Sequence, residues 1–366
     1  MRVIVINGAP RKGGYTDEIT GLMASGMTRA GAIVETVLLR EARVEPCRGC
    51  FGCWRSASKG RCVIDDDMPE LLDRFSASDV AVFSSPLYFY SFSGLMKCFI
   101  ERLLPLLMPS FVEDDDATLP TVRNRLRFPD RGPKRCVLVI TAGHLGRHVA
   151  DGLSLSFGHI AKTLGMDWVG TIIRPESFFM DFGVGREKQL RKMRNAVETA
   201  GEELVQNGRL SDETMLRAAL SLSGDPKTYC ARTSEYFRIA LSESVSIADR
   251  DAVRETILND LSIVMPSVAA CYDAGVGGDL HAIMNFSISG AENGTWCFVI
   301  ENGACKASED RHPAPDTTVS ADIETWLSLL RGELDGRQAM VDGRLKLEGN
   351  ARLFQRFGRL FPRPSF

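Results

Sequence analysis

The chain has 366 residues, about twice the size of a common single domain, so two hydrophobic cores are expected before any motif is read. With 44% hydrophobic and 25% charged residues it reads as an ordinary folding chain, and disorder over most of its length is excluded. A net charge of -3 gives no pull toward nucleic acid or an anionic membrane, and no apolar run is long enough for a transmembrane segment. The apolar run before Asn7 is too short for a signal-peptide core, so a cytoplasmic location is expected. In that setting ten cysteines read as thiols or ligands rather than a disulfide framework.

Residues 3–6 are a β-branched run that stops at Asn7-Gly8-Ala9-Pro10, and 16–31 carry Ile19, Leu22, Met23 and Met27 at helical spacing. The alternation continues with strands expected at 33–39, 80–84, 136–141 and 168–172, and helices at 68–75, 95–104, 149–164 and 187–206. Five strands alternating with helices predict an α/β fold, a parallel sheet covered on both faces. Residues 105–133, with the acidic run Glu113-Asp114-Asp115-Asp116, show no period and are expected to be an excursion near the active site. A polar helical connector follows the last helix, broken at Gly224-Asp225-Pro226. Then a helix over 253–272, interrupted at Pro266, leads into short alternating strands at 282–289, 295–301 and 304–307. Turn signals at Gly290, Gly294 and Asn302-Gly303 separate them, which is an α+β texture.

The segment from Asn7 to Thr16 lies between a strand and a helix, where helix-start N–H groups favour an anion. It lacks the Lys-Ser/Thr ending of a nucleoside-triphosphate loop and the G-x-G-x-x-G spacing of a dinucleotide fold. A terminal phosphate monoester remains, with Arg11 as a planar donor and Thr16 as a hydroxyl; the alternative is a plain strand-to-helix turn. Tyr88, Phe89, Tyr90 and Phe92, crowded after Pro86 at a strand end, either belong to a core or wall a flat ring.

Three segments in order resemble the NAD(P)H-dependent flavin reductases of the flavodoxin-like superfamily. They are Gly8-Ala9-Pro10-Arg11-Lys12-Gly13-Gly14-Tyr15-Thr16, Ser84-Ser85-Pro86-Leu87-Tyr88-Phe89 with Ser93-Gly94-Leu95-Met96-Lys97 and Glu101-Arg102, and Thr141-Ala142-Gly143-His144. Ala9 and Tyr15 stand where that family usually has Ser and Asn. The resemblance implies a flavodoxin-like doubly wound five-stranded parallel sheet binding FMN. The phosphate would rest on Ala9, Arg11, Gly13, Gly14, Tyr15 and Thr16, and the ring along Pro86, Leu87, Tyr88, Phe89, Thr141, Ala142, Gly143 and His144. It also implies NAD(P)H as co-substrate, a small-molecule or protein electron acceptor, and a homodimer. Flavin carries the hydride chemistry itself, so no catalytic acid–base residue is assigned; His144 is a ring contact, a proton donor or purely structural.

Cys47, Cys50, Cys53 and Cys62 are spaced to bind an iron-sulfur cluster or zinc, or to remain redox-active thiols. The same resemblance points to a 4Fe-4S cluster, as iron-sulfur flavoproteins carry a compact motif there. Cys98, Cys136, Cys230, Cys271, Cys297 and Cys305 read as buried small hydrophobes.

Residues 283–349 resemble the sterol carrier protein type 2 domain through Phe286-Ser287-Ile288-Ser289-Gly290, Trp296-Cys297-Phe298-Val299-Ile300-Glu301-Asn302-Gly303 and Gln338-Ala339-Met340-Val341-Asp342-Gly343. The resemblance implies an α+β sterol-carrier-like fold enclosing a tunnel for a lipid or acyl ligand. At the end of the chain Leu353, Phe354, Phe357, Leu360 and Phe361 share one helical stripe, with Arg352, Arg356, Arg359 and Arg363 largely off it. That stripe packs on the sheet, lids the tunnel or touches a membrane. The expected division is 1–208 flavin domain, 209–248 connector and 249–366 lipid-binding domain. Three functions follow: an NAD(P)H oxidoreductase with an apolar-ligand module, a flavin and iron-sulfur electron carrier, or a lipid-binding protein with a vestigial flavin fold.

Overall fold

A computed structural model describes residues 1–114, 121–181, 187–241, 250–290 and 294–362. The chain forms two compact units, Met1–Phe178 with Arg191–Gly224, and Phe179–Leu190 with Asp225–Phe366.

In the first unit the elements run β1 (Arg2–Asn7), α1 (Tyr15–Arg29), β2 (Ile33–Leu38), α2 (Met68–Ser76), β3 (Val80–Pro86), α3 (Gly94–Glu101), β4 (Leu107–Asp114) and β5 (Thr121–Leu126). They continue with β6 (Arg135–Thr141), α4 (Asp151–Thr163), β7 (Asp167–Arg174), α5 (Glu187–Gln206) and α6 (Asp212–Ala218). The main sheet has the order β2-β1-β3-β6-β7, and every pair in it is parallel. That is the flavodoxin-like doubly wound order predicted above. Its central strands read as continuous apolar runs because both faces are covered, and all seven residues of β3 are buried. Winding reverses between β1 and β3, so the carboxyl ends of these strands open onto the crevice where such sheets take ligands.

Residues 105–133 are not structureless: β4 and β5 pair as an antiparallel two-stranded sheet. Their pattern is weak because Phe111 and Val122 stay exposed, so no apolar face marks the strands. Asp115 and Asp116 of the acidic run lie outside the described residues. The segment read as a connector is divided between the units. Leu210 bonds the Val169 carbonyl and Leu210–Gly224 stays with the first unit. From Asp225 on, α7 (Pro226–Ala240) belongs to the second unit, with its proline at the first helical position, and residues 242–248 lie outside the described ones.

The second unit continues with α8 (Arg250–Asn259), α9 (Leu261–Ala270), α10 (Ala274–Gly277), β8 (Ala282–Ser289), β9 (Gly294–Glu301), β10 (Ala304–Ser308), β11 (Thr317–Asp322) and α11 (Ile323–Arg331). It closes with α12 (Gly336–Val341), β12 (Leu345–Gly349), α13 (Ala351–Gln355) and α14 (Phe357–Leu360). The helical break falls at Asp260, not at Pro266, which sits inside α9. The Asp260 carboxylate accepts from the Ser262 amide and starts a new helix there. The sheet is mixed, in the order β10-β9-β8-β11-β12, with β8 and β11 parallel and the remaining pairs antiparallel. Asn302 and Gly303, both with positive φ, make the β9–β10 turn expected of that dipeptide. Phe286 anchors this core, with ring centroids 4.6 Å from Phe298 and 5.1 Å from Trp326. Leu353, Leu360 and Phe361 are buried against it, while Arg363 lies outside the described residues.

Candidate functional site

The cleft over the carboxyl ends of β1, β3 and β6 is lined by Ala9, Pro10, Arg11, Gly14, Tyr15, Thr16, Pro86, Leu87, Tyr88, Thr141, Gly143, Ser177 and Phe178. Three loops distant in sequence meet here because their strands are neighbours in the sheet. Gly8 begins the first loop, and a Cβ there would stand 2.8 Å from Met96 Cβ and 2.9 Å from Ser93 Oγ. Ser93 caps α3, accepting from the Met96 amide, and donates its hydroxyl to the Gly8 carbonyl at 2.6 Å. That ties the phosphate-loop candidate to the ring-loop candidate.

Inside the first loop Asp17, absent from the expected site, is the organiser. Its carboxylate accepts from the Asn7 side-chain Nδ2 at 2.8 Å, from the Gly13 backbone N–H at 2.8 Å and from Arg40 Nη1 at 3.0 Å. Gly13 is therefore engaged internally and does not line the cleft. Arg40 also donates to the Ala9 carbonyl and lies largely buried beneath the loop. Thr16 and Thr141 place their hydroxyl oxygens 2.6 Å apart. One hydroxyl donates to the other, so the pair keeps one O–H to offer into the cleft.

On the ring side Ala142, Phe89 and His144 also stand outside the lining. Ala142 is buried, its amide on the Arg174 carbonyl and its own carbonyl accepting from Ser177. Phe89 is fully exposed and left-handed at φ 46°, and Tyr90 beside it has φ 60°. Tyr88 and Ser91 close that turn with two backbone hydrogen bonds, and Tyr90 faces the His144 ring at 5.5 Å. Phe92 belongs to the core. A left-handed conformation costs a non-glycine residue about 1–2 kcal/mol, only partly offset by the lower chain entropy it loses relative to glycine. Phe89→Gly is thus expected to raise unfolding free energy by about 1 kcal/mol, read as a higher urea midpoint. A lower midpoint would mean that the exposed ring packs on something.

Ser177 and Phe178, which sequence reading missed, form the far wall. Their turn is clamped from behind. The buried Arg174 donates to the Ala218 and Leu220 carbonyls, and the Glu176 carboxylate accepts from the Leu222 and Ser223 amides. Burial pulls the Arg174 guanidinium down to about 10, against the opposing charge of Glu176. Phe178 meets Tyr15 edge to face at 6.0 Å, and a Cβ on Gly143 would come within 2.5 Å of its ring.

Away from this cleft, Cys47, Cys50, Cys53 and Cys62 line one small cavity together with Glu101, Arg102 and Leu104. Burial, then the charges of Cys62, Cys47 and Cys50, push the Cys53 thiol up. Among the described residues no three His, Cys, Asp or Glu side chains stand close enough to hold a single metal ion. Arg102 closes one wall. Its side chain and that of Asp66 are 1% and 0% exposed and pair in a two-pronged bridge of 2.6 and 2.9 Å. Burial works against both charges. The mutual bridge overcomes it, raising the Arg102 guanidinium and holding the Asp66 carboxyl below its ordinary range. All ten cysteines are free; Cys136 and Cys297 are buried as expected, whereas Cys230 is exposed and is no core residue.

The second unit holds a cavity of about 250 Å³ walled by Trp326, Leu330, Met340, Phe354 and Phe357 among others, so the terminal stripe closes over it. No described helix is long and apolar enough to cross a membrane.

Residues 1–111 match the NADPH-dependent FMN reductase family, and residues 278–362 the SCP-2 sterol transfer family. An iron-sulfur flavoprotein of Archaeoglobus fulgidus is 34% identical over 105 residues, 29% of this chain and 46% of that one. A putative NAD(P)H-dependent FMN-containing oxidoreductase of Bacillus subtilis is 24% identical over 47% of this chain and 84% of its own. The chain spans about half the length of the iron-sulfur flavoproteins it matches. Among solved structures, an NAD(P)H:quinone oxidoreductase from Methanothermobacter marburgensis aligns at TM-score 0.43 and 18% identity, over 56% of this chain and 96% of that one. The chain is thus similar over residues 1–111 to the NADPH-dependent FMN reductase family and over residues 278–362 to the SCP-2 sterol transfer family.

Proposed function

We propose that the first unit is an FMN-dependent NAD(P)H oxidoreductase acting on a quinone-type or similar small acceptor, and that the second holds an apolar ligand. The observation that carries this reading is the meeting, at the switch point of the sheet, of the α1 N-terminus with the Thr16–Thr141 hydroxyl pair and the loop after Pro86. These residues fit a phosphate ester at one end and a flat ring at the other. Thr16, Thr141 and the first-turn amides of α1 would hold the phosphate, with Arg11 screening its charge. Tyr88, Leu87 and Gly143 would border the ring and exclude water from one side of it. Bound there, FMN supplies hydride acceptance from NAD(P)H and its delivery to an acceptor.

The domain limits that go with this reading are 1–208, 209–248 and 249–366, in a cytoplasmic homodimer whose second copy would cover the flavin. Titration of the purified protein with FMN, followed by NADH and NADPH oxidation with a quinone, tests it. A protein that quenches no FMN fluorescence and oxidises neither nucleotide is not this enzyme.

A second reading, an electron carrier to a protein partner, is favoured by the four cysteines around one cavity and by the names of the iron-sulfur relatives. The donor set fits a cluster in kind: four thiols and a buried Arg102 whose Nε has no partner. Anaerobically purified protein free of iron and acid-labile sulfide would end it.

A further inference from the structure

The guanidinium of Arg102 is fixed on one side and open on the other. Asp66 takes both of its terminal nitrogens, the Glu45 carbonyl accepts a further bond from Nη1 at 2.8 Å, and Nε, equally buried, has no partner at bonding distance. The same side chain lines the cavity of the four cysteines, and the charge of Cys62 helps to hold its own charge up. A buried donor without an acceptor costs about 1–3 kcal/mol, so its persistence calls for something in the cavity that accepts. The surroundings narrow the choice. Glu101 and Arg48 also line the cavity, but the sulfurs outnumber every other polar group there.

We propose that Arg102 is a positioning residue of the cysteine site, a fixed cation whose free Nε–H donates to a thiolate or sulfide sulfur held there. The proposal rests on the cluster reading above and goes beyond it by naming what sets the potential. Four thiolates around an iron-sulfur core leave negative charge that grows on reduction, and on the side of Cys53 and Arg102, both buried, little water screens it. A guanidinium clamped in the wall favours the reduced state, and a hydrogen bond to sulfur acts the same way. Asp66 then serves to aim the guanidinium, as carboxylates behind metal-site ligands do.

The test uses the full chain, purified without oxygen. Removing Arg102 alone strands Asp66 as a buried charge, so the paired variant Arg102→Met with Asp66→Asn is used; exchanging both partners of a buried ion pair is commonly near neutral for folding. At wild-type iron and sulfide content, this variant is expected to show a reduced-to-oxidised ratio about tenfold lower at a fixed potential, a midpoint about 59 mV more negative for a one-electron couple. An unchanged midpoint makes Arg102 a structural prop and overturns the inference while leaving the cluster reading intact. If the folded double variant holds no iron, Arg102→Lys alone decides, because it keeps both the cation and the Asp66 that aims it. Iron retained by that single variant supports the inference, and iron lost from both overturns it. Wild-type protein without iron or sulfide removes the cluster reading and the inference together.

Discussion

Thr16→Val is expected to weaken FMN binding about 10–100-fold while leaving riboflavin binding unchanged, because a hydrogen bond to a charged group is worth about 1.5–3 kcal/mol. Valine keeps the volume of threonine and removes the hydroxyl that lies 2.6 Å from Thr141 Oγ1. The Thr141 hydroxyl would then lose its fixed direction, so Thr141→Val should give a similar loss, and the two together less than the sum. Riboflavin is the control that separates phosphate recognition from ring recognition. Equal losses for both flavins would place Thr16 away from the phosphate, and no loss for either would remove the first loop from the site.

The sheet was open to sequence reading because its physics is local. Runs such as Val3–Ile6 and Val80–Ser84 are apolar without alternation, which only strands buried on both faces tolerate, and a helical period separates each from the next. In the second unit three of the five strands were legible, helped by the Asn302-Gly303 turn, whereas the short β11 and β12 were not. Most of the candidate cleft followed, since Ala9, Pro86 and Thr141 sit at or just past strand ends and Thr16 in the first turn of α1. What escaped depends on partners far along the chain. Asp17 looked like an ordinary acidic residue in the first turn of a helix, and nothing in its neighbourhood announces that it reaches Arg40.

Ser177 and Phe178 enter the wall through the Arg174 and Glu176 clamp, whose acceptors and donors lie about forty-five residues later. An Asp17-like signal was nonetheless present: Asn7 and Asp17 flank a glycine-rich loop, the pattern of side chains that bond nearby backbone amides. The β4–β5 pair was lost for the opposite reason. It buries no face, so hydrophobic period carries no trace of it. Its neighbour Arg127 nonetheless reaches the Cys53 carbonyl, which ties the excursion to the cysteine segment.

Asp66→Ala is expected to destabilise the first unit by about 3–5 kcal/mol, the usual cost of leaving one member of a buried ion pair alone. The loss has several parts. Arg102 keeps a charge with 1% exposure and no counterion, and the Glu45 and Met68 amides lose the oxygens they donate to at 2.9 and 3.1 Å. Unpaired, the guanidinium must admit water or move into the cysteine cavity. Urea unfolding should show the midpoint falling with its slope unchanged. The dependence on pH carries a sign. The folded-state carboxyl lies below its ordinary value, so its contribution is full above the unfolded value of about 3.9 and drains away as pH falls through the folded one. Wild-type protein should lose stability below about pH 4 more steeply than Asp66→Ala, and the two curves should converge in acid. Curves that stay parallel from neutral pH into acid would mean that the Asp66 charge contributes nothing and that the variant fails through packing alone.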